Sequence, residues 1–73
     1  MNADAIREVL KRQPFEPFEI IMSSGERHVV KHPEFLMLTP SRAVFVDPIT
    51  DHLAVLSLKH VTELRTIQPQ ASA

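Results

Sequence analysis

The segment Gln13-Pro14-Phe15-Glu16-Pro17-Phe18 divides this chain into two kinds of sequence. Proline fixes φ, lacks a backbone donor and pushes the residue before it away from helical geometry, so no helix continues through Gln13. The two prolines, each followed by a phenylalanine, predict a stiff, extended stretch. Polyproline-like geometry repeats every three residues and puts Phe15 and Phe18 on one side. The stretch reads either as a PxxP ligand for a partner domain or, more simply, as a linker that pins one element onto another with two aromatic pegs.

Before the divide the spacing is helical. Ile6, Val9 and Leu10 share a face, Asn2 is placed to cap the first turn, Asp4 lies near the positive end of the helix dipole, and Arg7, Lys11 and Arg12 lie toward the negative end. Glu8 stands four residues before Arg12, a spacing that predicts an ion pair on the helix surface.

After the divide the period falls to two. Phe18, Ile20 and Met22 alternate with Glu19, Ile21 and Ser23, and Ser23-Ser24-Gly25-Glu26 follows with the only glycine in the chain. A tight hairpin needs a residue with positive φ there, so a second strand is expected from Arg27 to His32. Pro33 ends or bends it. Further apolar runs occur at Phe35–Leu38, Ala43–Val46 and Leu53–Leu58, separated by Thr39-Pro40-Ser41 and by Asp47-Pro48-Ile49-Thr50-Asp51, both rich in turn formers. Leu58, Val61 and Leu64 are three apart, which suits a single helical or 3₁₀ turn over Lys59 and His60 before a last strand toward Ile67.

The expected fold class is therefore mainly β with one N-terminal α-helix: about five short antiparallel strands, strongly bent into a small β-barrel that hides strand edges and buries both apolar faces. An open sheet covered by the helix is the alternative. Residues 1–67 form a single domain on this reading, and 68–73 a disordered tail. A chain of 73 residues without cysteine has neither a disulfide nor a thiolate metal site to stabilise it, so self-association is expected to supply what a small core lacks. A net charge of −1 argues against nucleic-acid binding by bulk charge. With no membrane-length apolar run and no leader-like start, a cytoplasmic location is expected.

The residues that carry chemistry are few. On a strand, His28 and His32 share a face but lie about 13 Å apart, too far to hold one ion, and His52 falls beside a turn, so no metal site is expected. Asp47 and Asp51 flank a turn without the count or spacing of a calcium loop. The serines sit in turns or near the tail without the setting of a nucleophile, and one glycine is too few for a phosphate-cradling loop. No catalytic residue and no cofactor is expected, and the chain reads as not an enzyme. For RNA, Lys59-His60 is the candidate pair, since a turn at a barrel rim presents a phosphate contact beside a hydrogen-bonding or stacking ring. Phe35 could stack on a base if exposed, although it and Phe45 lie in apolar runs that suit a core.

Two resemblances follow from these residues. Phe18 to Gly25, where a strand meets its turn, and Leu58-Lys59-His60-Val61 with Leu64 before the last strand resemble the Sm-like family, its Hfq-type members in particular. The resemblance implies an oligomeric ring that contacts uridine-rich RNA through Lys59 and His60, with Phe35 near the base-stacking aromatic. Val29-Val30 stands where that family has a second glycine, and Glu34 where it has an aspartate. Pro14-Phe15-Glu16-Pro17-Phe18, Ser24-Gly25 and His32-Pro33-Glu34-Phe35-Leu36 also resemble a set of short bacterial proteins, a likeness that implies no chemistry. The expectation is thus a homo-oligomeric binding or assembly module, with another protein as a possible partner and RNA binding as the alternative.

Overall fold

The structure, a computed structural model, describes residues 1–67; the expected tail at 68–73 lies outside them. Helix α1 spans Ala3–Leu10, and Asn2 caps it as anticipated, its side-chain oxygen accepting from the Ala5 N–H at 3.0 Å. The expected Glu8–Arg12 pair is not formed. Arg7 turns back to Asp4 at 2.6 Å, and Arg12 reaches forward to Glu16 at 3.6 Å, because the helix ends at Leu10 and leaves Arg12 beyond its last turn. Ile6 is fully buried in one core cluster with Phe18, and Phe15 packs against that cluster and meets Phe18 edge-on with ring centroids 6.1 Å apart; the stretch is not extended throughout, because the chain bends at Gln13–Pro14.

Six strands follow, one more than expected: β1 Phe18–Met22, β2 Arg27–Val30, β3 Leu36–Leu38, β4 Arg42–Asp47, β5 His52–Ser57 and β6 Val61–Thr66. Strand β2 stops at Val30, before the expected His32. The next strand starts late because Pro33, at the first position of a 3₁₀ turn, draws Pro33–Phe35 out of extended geometry. Gly25 has φ of 95°, and the β1–β2 hairpin closes through Met22 N–H to Glu26 O and Gly25 N–H to Met22 O. A second 3₁₀ turn, Leu58–His60, stands where the three-residue spacing predicted it.

The strands form two antiparallel three-stranded sheets, ordered β2-β1-β6 and β3-β4-β5. Among the described residues no ladder joins the two sheets, so the chain is mainly β with one N-terminal helix as expected, but its two small sheets do not close into the expected barrel. The core lies between them: Phe18, Ile20 and Val30 from one, Ala43, Phe45 and Leu56 from the other, with Ile6 from α1 and Leu58 from the second 3₁₀ turn. That turn carries the chain from one sheet to the other. It is held by the Met1 nitrogen donating to Leu58 O at 2.9 Å and by Ser23 N–H donating to His60 O at 2.7 Å. The expectation that both apolar faces would be buried fails on one side, as described next.

Candidate binding surfaces

Lys59 and His60 are both exposed on the second 3₁₀ turn. Lys59 lines a cleft of about 490 Å³ together with Asn2, Ser41, Arg42 and Ser57. The antiparallel β4–β5 register brings Arg42 opposite Ser57, next to this turn, and so gathers two cations from distant parts of the sequence. Neither Arg42 nor Lys59 is paired with a carboxylate among the described residues, and no acidic side chain lines the cleft. His60 sits on the same turn but does not line it. Phe35 is elsewhere: half-buried in the first 3₁₀ turn, it packs against the core and meets the His32 ring edge-on at 4.9 Å. The three residues singled out for RNA are therefore not brought into one pocket. Arg42, which the sequence reading passed over, is the residue that joins Lys59.

A second cleft, of about 400 Å³, opens at the seam between the sheets. His28 of β2, Phe45 of β4 and His52 of β5 meet there, with ring centroids 5.3 Å apart for His28–Phe45 and 6.1 Å apart for His28–His52. His28 is only 8% exposed and its Nε2 has no hydrogen-bond partner. Burial holds the imidazole below its ordinary pKa; Glu26 opposes that shift and His52 adds to it. Glu26, Arg27, Lys31 and Asp47 complete the rim. Among the described residues no group of three histidine or carboxylate side chains is placed to hold a metal ion.

The third surface is the outer face of the β3-β4-β5 sheet. Met37, Val44 and Val55 stand side by side across its three strands, and Val46 stands beside Leu53. Met37 is 69% exposed, Leu53 64% and Val55 60%, an apolar stripe on the order of 400 Å², the size of the largest patch on a typical monomer, which is often functional. The stripe arises because β4 and β5 are apolar at both parities. Ala43, Phe45, Ala54 and Leu56 face the core, and Val44, Val46, Leu53 and Val55 are left outside.

The stripe ends at an open strand edge. The Leu58 N–H donates to Ser41 O, continuing the β4–β5 ladder by one residue. Antiparallel ladders alternate hydrogen-bonded and non-bonded pairs, so Ala43–Leu56 and Phe45–Ala54 are the bonded ones. The backbone groups of Leu53, Val55 and Ser57 then point away from β4, to an edge that no strand covers among the described residues.

Comparisons of the chain with protein-family models, with curated proteins and with solved structures return no match. Among the described residues no helix is long and apolar enough to cross a membrane.

Proposed function

We propose that this chain is a non-enzymatic binding or assembly module, a small Sm/SH3-like fold of two packed sheets with open edges, that works through the outer face of β3-β4-β5. The observation that carries the reading is the apolar stripe of exposed Met37, Val46, Leu53 and Val55 around half-buried Val44, running to an unpaired edge strand. Apolar surface of this extent is costly in water and marks a face that another surface covers. Titration of the native chain with an apolar reporter dye such as ANS tests this directly. The native protein is expected to bind the dye, and Leu53→Asp with Val55→Asp is expected to abolish binding while leaving the melting temperature within a few degrees. A native chain that ignores the dye and stays monomeric at every concentration would overturn the reading.

A second reading, RNA binding through Lys59 with His60 beside it, is favoured by the acid-free cleft that Lys59 shares with Arg42. It predicts affinity for uridine-rich oligonucleotides that falls steeply with salt and is lost in Lys59→Ala or Arg42→Ala. Salt-independent or absent binding would dismiss it.

A further inference from the structure

The two sheets leave four strand edges, and three are blunted. Strand β2 carries Arg27 and is followed by Lys31 and Pro33, β6 carries Glu63 and Arg65, and β3 is three residues long between Pro33 and Pro40. Charges, prolines and shortness are the devices that stop edge-to-edge pairing. Strand β5 has none of them: His-Leu-Ala-Val-Leu-Ser is six residues long, with no proline, lysine, arginine or carboxylate.

We infer that β5 pairs antiparallel with β5 of a second copy of this chain about a two-fold axis at Ala54. The inference rests on the assembly reading above and gives its open edge one partner and one register, while the outer face stays free. Four features select them. A two-fold antiparallel pair keeps each copy's inner and outer faces aligned only when a residue, and not the gap between two residues, lies on the axis. Placing Ala54 there sets Leu53 opposite Val55 of the second copy, and Val55 opposite Leu53, so the two apolar stripes join across the edge. The same placement pairs backbone groups that already point outward, those of Leu53 and Val55, and leaves Ala54 facing its own copy as a non-hydrogen-bonded pair. Within the paired segment His52 meets Leu56, so no charge faces another of its own sign. A centre at Val55 would instead put each Leu53 against a serine.

Strand pairing of this length buries less than the roughly 800 Å² per partner of a standard interface, so the dimer is a weak one that exchanges with monomer. It also doubles the apolar face offered to any further partner.

The chain has no cysteine, so a single introduced thiol reports on the register alone. In the proposed pairing the two copies of residue 54 are about 4.5 Å apart between Cα atoms, within disulfide reach, whereas the two copies of residue 53, or of residue 55, are about 8 Å apart and beyond it. Ala54→Cys is therefore expected to form a covalent dimer under mild oxidation at least about tenfold faster than Leu53→Cys or Val55→Cys. In the cysteine-free chain, the Leu53 and Val55 amides are expected to gain hydrogen-exchange protection as concentration rises, which needs no variant to fold. Equal, slow cross-linking at all three positions with exchange independent of concentration would overturn the inference. If the dye still bound in that case, the assembly reading would stand without this partner, and if it did not, both would fall. Fast cross-linking at Val55→Cys alone, or a particle larger than a dimer that Ala54→Cys does not link, would overturn the two-fold at Ala54.

Discussion

The two sheets are built from similar numbers of residues and are used differently. In β2-β1-β6 the central strand is buried along nearly its whole length, with Ile21 as well as Phe18, Ile20 and Met22 shielded from solvent, and both outer strands carry charge. In β3-β4-β5 only one parity faces the core, and the other presents valine, leucine and methionine to water beside an uncharged edge. The first sheet shields its central strand within one chain, and is finished in that sense, while the second leaves one parity exposed. The comparison separates residues that hold the fold from residues of equal hydrophobicity that it does not need.

The largest effect should come from breaking the finished sheet. Phe18→Ala removes a fully buried ring that touches both the core and Phe15, and is expected to cost about 3–5 kcal/mol, enough to unfold a domain of this size in a thermal melt. Leu53→Ser, on the unfinished sheet, should change stability by no more than about 0.5 kcal/mol in the same melt. A large loss from Leu53→Ser at low protein concentration would erase the distinction between the sheets.

The seam offers a test by pH. His28 is held below its ordinary pKa by burial, so the unfolded chain binds more protons than the folded one on the acid side. Stability is therefore fully present above about pH 6.5, the unfolded value, and is lost as pH falls from there through the lower folded value. The melting temperature should drop between pH 7.5 and pH 5, and His28→Leu should flatten that slope. An unchanged slope in His28→Leu would show that other groups set it.

Smaller effects sharpen the same contrast outside the second sheet. Gly25→Ala meets no neighbour within 4 Å, so its cost, about 1 kcal/mol, comes from the positive φ alone, and Gly25→Asn should cost less. Asn2→Ala should cost about 0.5–1 kcal/mol through the lost cap, a small shift in the denaturation midpoint.

Local chemistry was legible in the sequence because it acts over a few residues. Asn2, Pro14, Gly25 and the Leu58–Val61–Leu64 spacing each specify a cap, a stop, a turn or a 3₁₀ corner without help from the rest of the chain. What could not be read depends on register or on packing between sheets. Arg42 reaches Lys59 only through the β4–β5 ladder, and His28 meets His52 only where the sheets approach. The exposed stripe was hidden for a different reason: β4 and β5 are apolar at both parities, and a period of two cannot say which parity wins the core when both qualify. Phe35 opens an apolar run, but Pro33 draws Phe35 itself into a 3₁₀ corner, away from Lys59, and the strand starts only at Leu36.

The pairing of β1 with β6 has a consequence in time. The hairpins β1–β2, β3–β4 and β4–β5 each join neighbouring segments, while β1 must wait for the final strand to be made before its second ladder, from Phe18–Thr66 to Met22–Val61, can form. Short loops close before long ones, so the three hairpins should take shape first and the β1–β6 closure last. The sheet that is finished in the folded chain is then the last to be completed as the chain emerges.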